Sequence, residues 1–256
     1  MRNPVEERWL RRFRDDNRCV TKLVCFPHAG GWANAYSTWP RRLPTDVGVL
    51  AVQYPGRADR DHDPFPSGLK TLADDIADAL SRLTRHRLVL FGHSMGASVA
   101  HEVALRLQER GCPPTAFCVS GRRPPHALDG QRRFLGTDQE IIADIVRYDA
   151  SRAPIFADPD LRDMFLPAIR ADYRLVDGYR GGRRPPLVCP VYAYTGSDDP
   201  EVTPEQMQGW ADTTDDAFRL RVLPGGHFYL RDEEAALLAD LGDVLGRIKC
   251  TVRNAS

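Results

Sequence analysis

The pentapeptide Gly92-His93-Ser94-Met95-Gly96 sets a serine between two glycines, directly after the apolar run Leu88 to Phe91 and directly before a helical pattern. In a strand-turn-helix context a GxSxG serine is a nucleophile, because the turn is so tight that the residues two before and two after it must be small. Ser94 is thereby lifted to a helix N-terminus, where backbone N–H groups favour developing negative charge. The chemistry this implies is acyl transfer through a serine ester. Such a serine needs a base, and in this arrangement the acid and then the histidine follow it along the chain. Among the histidines near or beyond the turn, His86 and His126 lie in arginine-rich polar surroundings, His101 lies in the following helix and His93 belongs to the turn itself. His227 differs, standing in Pro224-Gly225-Gly226-His227-Phe228 after the last expected strand, where open sheets place their ligands. Gly196-Ser197-Asp198-Asp199-Pro200 offers the acid, and spacing alone leaves Asp198 and Asp199 both open. The oxyanion would be held by the N–H of Met95 and one from the early loop His28-Ala29-Gly30-Gly31. Ala29 is assigned as that second donor, although Gly30 would serve the same geometry.

Three histidines are also the ligand set of a catalytic zinc, and His28, His93 and His227 could approach one point. No HExxH or similar ligand spacing accompanies them, and the serine turn makes a metal unnecessary. Neither a metal nor a cofactor is expected.

The elements that must position these residues follow from about residue 22, where short apolar runs begin to alternate with helical patterns, the mark of a parallel sheet covered on both faces. Strands are predicted at Leu23 to Phe26, Val49 to Gln53, Leu88 to Phe91, Ala116 to Val119, Leu187 to Tyr194 and Phe218 to Leu223. Leu69, Leu72, Ile76, Leu80 and Leu83 recur at helical spacing, as do Ala97, Ala100, Ala104 and Leu107, which Gly111 should stop. A closing helix carries Ala235, Leu238, Leu241, Leu245 and Ile248, with Asp232 as its cap. Between Val119 and Leu187 the rhythm breaks, over a length far beyond a simple crossover. The segment opens with Arg122-Arg123-Pro124-Pro125, closes with Gly181-Gly182-Arg183-Arg184-Pro185-Pro186, and contains a capping-box pair, Thr137 and Glu140. A second helical pattern inside it starts at Asp158-Pro159, and Pro167 should kink it. The expectation is one α/β domain over residues 1–256, with its core at about 20–120 and 187–250 and a helical lid at about 121–186 over the site.

Composition narrows the partners. Thirty-five basic residues balance 35 acidic ones, so no net field draws the chain to nucleic acid or to an anionic membrane. The four arginines at the ends of the expected lid are read as solvated surface. Six scattered cysteines form no CxxC pair, the first residues contain no apolar signal segment, and no apolar run approaches the roughly 18 residues of a membrane span. A reduced, cytoplasmic, monomeric protein is expected, with no carrier domain ahead of a core that starts about twenty residues after Met1.

Taken with Phe26-Pro27-His28-Ala29-Gly30-Gly31, with Tyr36 and Trp39 beyond it, Tyr54-Pro55-Gly56-Arg57, the serine pentapeptide extended to Ala97, Gly196 to Val202 with Trp210 beyond, and Pro224 to Phe228, the sequence resembles a type II thioesterase, the free-standing editing enzyme of polyketide synthases and nonribosomal peptide synthetases. Five stretches in order across roughly residues 20–245 make the resemblance specific. It implies the α/β-hydrolase fold, a triad of Ser94, Asp199 and His227, and an oxyanion hole of Ala29 and Met95. It also implies a substrate, an acyl chain on the phosphopantetheine arm of an acyl or peptidyl carrier protein, cleared when aberrant or stalled. His28 and His101 depart from the pattern, standing where an aromatic residue is more usual. Two other readings differ in their substrates: a small-ester carboxylesterase would prefer free esters, and a non-catalytic synthase-docking protein would cleave nothing.

Overall fold

Short apolar runs bounded by turns suit strands, and in the computed structural model, which describes residues 4–16, 18–83, 85–128 and 136–253, they join one further, arginine-rich strand in a sheet of seven. In chain order the elements are α1 (Pro4–Trp9), β1 (Leu10–Arg14), β2 (Thr21–Phe26), β3 (Val47–Val52), α2 (Leu69–Leu80), β4 (Arg87–His93), α3 (Met95–Glu109), β5 (Ala116–Ser120), α4 (Asp138–Tyr148), α5 (Ala153–Ala157), α6 (Pro159–Gly178), β6 (Val191–Gly196), α7 (Pro204–Gln208), β7 (Phe218–Leu223), α8 (Tyr229–Asp232) and α9 (Glu234–Arg253). The sheet order is β1-β3-β2-β4-β5-β6-β7, with every neighbouring pair parallel except β1 and β3. This is the α/β-hydrolase architecture that the alternating pattern and the resemblance led us to expect. The chain runs outward from β2 to β3 and then returns to β4 on the other side of β2, so the order reverses between β2 and β4. Ligands of open α/β sheets bind at the carboxyl ends of strands beside such a reversal.

Burial explains the composition of the strands. Leu23, Val24, Cys25 and Phe26 of β2 are all inaccessible, because helices cover both faces of a parallel sheet. On one face Leu72, Ile76 and Leu80 of α2 meet Val99, Val103 and Leu107 of α3 in a single apolar cluster. On the other, Leu237, Leu241 and Leu245 of α9 pack with Tyr36, Trp39 and Phe91. A third cluster joins Ile141 and Ile145 of α4 to Phe156 of α5 and Leu166, Ile169 and Tyr173 of α6, with Ala29 packed against it. Thr137 and Glu140 form the expected capping box on α4, Asp158 caps α6, and α6 continues through Pro167. Residues 129–135 of the expected lid lie outside the described residues.

The structure departs from the sequence reading at β1, at the start of β6 and at the cap of α9. Strand β1 was missed: it is an antiparallel edge, where charged side chains are normal, and its arginines make it read as polar. Arg14 donates to the carbonyls of Pro40, Val47 and Pro44 at 2.6, 2.7 and 2.6 Å, which fixes that edge. Strand β6 starts at Val191 rather than Leu187, since Pro190 interrupts the run and has no N–H for a ladder, and Leu187 makes only an isolated bridge to Thr214. Asp232 does not cap α9; it closes the single turn of α8, and Glu233 stands between the two helices. Cys19, Cys25, Cys112, Cys118 and Cys189 are free thiols, and the side chain of Cys250 lies outside the described residues. No described helix is long and apolar enough to cross a membrane.

His101 carries a prediction. It is buried in α3 against Phe117 and Trp210, with ring centroids 6.0 and 5.4 Å away, and its Nδ1 has no partner. Burial lowers its pKa to about 4. The unfolded chain, with histidine near 6.5, therefore takes up this proton first, so stability falls as the pH drops from about 6.5 to about 4, by on the order of 1 kcal/mol per pH unit. His101→Phe should flatten that part of the denaturation-midpoint profile between pH 4 and 6.5; an unchanged slope would show that His101 is not its source.

Candidate active site

Four strand ends converge. At the end of β4, Ser94 adopts φ 54° and ψ −121°, a conformation that a non-glycine residue holds only under compulsion from its surroundings. The compulsion is steric: a Cβ on Gly92 would lie 2.3 Å from the Gly96 carbonyl oxygen, and one on Gly96 would lie 2.1 Å from that of Phe26. The turn therefore packs directly on the end of β2. Ser94 N–H donates to the Ser120 carbonyl at 2.9 Å, fixing the turn from the β5 side.

The loops after β6 and β7 are clasped in the same way. A Cβ on Gly196 would meet the Gly225 carbonyl oxygen at 2.2 Å, and Asp198 N–H donates to that same oxygen at 2.9 Å. His227 Nδ1 lies 3.0 and 2.9 Å from the two carboxylate oxygens of Asp199, both residues being buried. Asp199 Oδ1 also accepts the Glu201 N–H at 2.8 Å. Asp198 turns away, its carboxylate accepting from Ser197 Oγ at 2.7 Å. Of the two carboxylates left open by spacing, Asp199 is the one that meets the histidine.

Ser94, Met95, Ala29 and His227 line one cavity of about 70 Å³. The N–H groups of Ala29 and Met95 have no partner among the described residues, whereas Gly30 N–H is taken by Asp172 Oδ2 at 2.7 Å. The segment between β5 and β6 supplies further walls: the Tyr148 ring packs tilted against that of His227, centroids 5.2 Å apart, and its hydroxyl donates to Glu201. Phe165 meets Trp32 edge-on at 5.3 Å.

His28, His93 and His227 do gather, with ring centroids 6.0 Å apart for His28 and His93 and 4.9 Å for His93 and His227. They pack as rings, and no trio of His, Cys, Asp or Glu among the described residues is spaced to hold a metal ion. Burial, reinforced by neighbouring positive groups, holds His28 and His93 well below the usual histidine pKa, so both stand neutral beside His227. A second serine, Ser120, is close by, but its Oγ is fully buried at 2.9 Å from His93 Nδ1 and 2.7 Å from the Tyr229 hydroxyl.

Several residues around the site escaped the sequence reading. Tyr148 carried no signal, and Glu201 stood in a quoted stretch without a role. Arg57 belonged to a quoted motif without a role; it is buried and forms a bidentate pair with Asp172, a residue 115 positions away. Arg122, expected as solvated surface, is half-buried, donates to Ser98 Oγ at 3.1 Å and lines the cavity, and Arg184 approaches Glu102 at 3.7 Å.

A family model described as a thioesterase domain matches residues 21–245. A probable cadicidin biosynthesis thioesterase of Streptomyces griseus is 40% identical over 93% of this chain, which spans 66% of that relative's length. Thioesterase PikA5 of Streptomyces venezuelae is 36% identical over 93% of this chain and 85% of its own. The structure of BorB, a type II thioesterase from the borrelidin biosynthetic cluster, superposes with a TM-score of 0.83 at 36% identity, covering 95% of this chain and 97% of BorB.

Proposed function

The chain belongs to the thioesterase-domain family, among the type II editing thioesterases of polyketide and nonribosomal peptide pathways, and on that premise we infer that Ser94, His227 and Asp199 hydrolyse acyl groups from the pantetheine arm of carrier proteins. One observation carries the residue assignment: Ser94, held at positive φ, faces the cavity that His227 lines, and Asp199 grips His227 Nδ1 from behind. Nδ1 then keeps its proton and Nε2 is left to act as base. Ser94 Oγ attacks the thioester carbonyl as its proton passes to His227 Nε2, and the N–H groups of Ala29 and Met95 hold the oxyanion. The C–S bond breaks, and His227 returns the proton to the departing thiolate. Water, deprotonated by the same nitrogen, attacks the acyl-Ser94 ester; the acid leaves and Ser94 recovers its proton. No step needs a metal or a cofactor. Ser120 is a poor nucleophile by comparison, since both groups its Oγ touches are buried and neither is His227.

Within this reading the chain is one domain, residues 121–186 act as a lid over the acyl cavity, and the enzyme works as a cytoplasmic monomer beside its synthase. Tyr148 against His227 and Phe165 against Trp32 support the lid. The test is thiol release from carrier proteins loaded with short and long acyl groups, run beside p-nitrophenyl esters. We expect carrier-bound thioesters to be the better substrates by kcat/KM; faster cleavage of the free esters would make the protein a small-molecule esterase instead.

A further inference from the structure

The ion pair between Arg57 and Asp172 contains no reacting group, yet it ties together three segments on which the oxyanion site depends. Arg57 follows β3 and Asp172 sits in the middle of α6; they are 6% and 1% exposed. The guanidinium reaches the two carboxylate oxygens at 2.6 and 2.7 Å and also donates to the Gly31 carbonyl at 3.2 Å. The carboxylate oxygen held at 2.6 Å accepts the Gly30 N–H at 2.7 Å. The loop is thus gripped by both partners at once, through a donor at Gly30 and an acceptor at Gly31. Helix α6 lies directly on it: a Cβ at Gly30, whose φ is +70°, would meet Ile169 Cγ1 at 2.6 Å. A buried ion pair is a costly way to join two segments that apolar packing would join as well. What packing cannot do is accept a particular N–H.

We propose that Arg57 and Asp172 are positioning residues for the oxyanion hole: by binding Gly30 N–H and Gly31 C=O they withdraw Gly30 as a donor and set the peptide that presents the Ala29 N–H beside Ser94. The lid segment is thereby linked to stabilisation of the transition state, since Asp172 belongs to α6. The proposal rests on the thioesterase reading of the site and adds the pair that fixes its second oxyanion donor.

The experiment compares wild type, Asp172→Asn, Arg57→Lys and the apolar pair Arg57→Met with Asp172→Leu, which removes both charges together and so leaves neither orphaned. Asp240→Asn, which cuts a network joining buried Asp240 and Tyr194 to the partly exposed Arg219 and Arg221 on the α9 side of the sheet, serves as the stability control. Each folded variant is measured for kcat and KM on an acyl-pantetheine thioester and for Ki with a trifluoromethyl ketone, whose adduct with Ser94 places an oxyanion in the hole. We expect kcat to fall about 10²-fold in the Asp172 variants with KM little changed, and Ki to rise by the same factor. Arg57→Lys, which keeps the charge but loses the fork, should fall between these and wild type. Asp240→Asn should lower the melting temperature and leave kcat and Ki alone. A folded Asp172→Asn or apolar-pair variant with wild-type kcat and Ki would overturn the proposal while leaving the thioesterase reading intact. Wild-type enzyme that cleaves no thioester would overturn that reading itself.

Discussion

Ser94→Ala is expected to lower kcat for thioester hydrolysis by about 10⁴-fold or more, while the protein stays folded and still binds its carrier. The oxygen proposed as nucleophile is lost, and nothing else at the turn changes: the strain at φ 54° is imposed by Gly92, Gly96 and the end of β2, and the bond to Ser120 runs through the backbone N–H. The informative partner is Ser120→Ala. It strips a buried hydrogen bond from His93 Nδ1 and from the Tyr229 hydroxyl, which should cost about 1–3 kcal/mol of stability. Its kcat should stay within several-fold of wild type, because no atom of Ser120 meets the cavity. Steady-state thiol release and urea denaturation on the two variants separate the roles cleanly. If Ser120→Ala were the inactive one, the nucleophile assignment would be wrong.

Asp199→Asn should cost about as much, on the order of 10⁴ in kcat. Both Asp199 oxygens lie within hydrogen-bond reach of His227 Nδ1, and Oδ1 is shared with the Glu201 N–H. An amide there can present an N–H to the ring, which favours the opposite tautomer and leaves Nε2 protonated, unable to take the serine proton. Among the described residues the Asp198 side chain accepts from Ser197 Oγ and does not meet His227, so in Asp198→Asn kcat should move by no more than a few-fold. A large loss in Asp198→Asn with activity retained in Asp199→Asn would reverse the assignment.

What was legible in the sequence was whatever a few consecutive residues constrain. The serine turn needs small residues two before and two after Ser94, and the contacts of Gly92 and Gly96 give the reason in space. The glycine-rich loop with Ala29 and the Pro224 to Phe228 loop with His227 were equally local, since each follows an apolar run and ends a strand. Six strands were readable as short apolar runs and both core helices from their period, because the near-complete burial of β2 to β6 leaves a composition that few other environments share, while β7 is only partly buried. Strand β1 was not readable for the opposite reason: at an edge, arginine side chains bond carbonyls and acids and conceal the strand beneath a charged surface pattern.

The choices that needed the tertiary structure were those between neighbours. Asp198 and Asp199 are adjacent and chemically identical, and only the approach of the loop after β7 decides which carboxylate finds His227. Ala29 and Gly30 are adjacent too, and it is Asp172, arriving from α6, that takes the Gly30 N–H and leaves that of Ala29 as the donor proposed for the substrate. Arg57 and Asp172 are separated by 115 residues, and no local pattern couples them. Backbone sterics act over a turn, and so leave their mark on consecutive residues. A hydrogen bond between distant segments is selected by how those segments pack, and that exists only once the sheet and its helices have assembled.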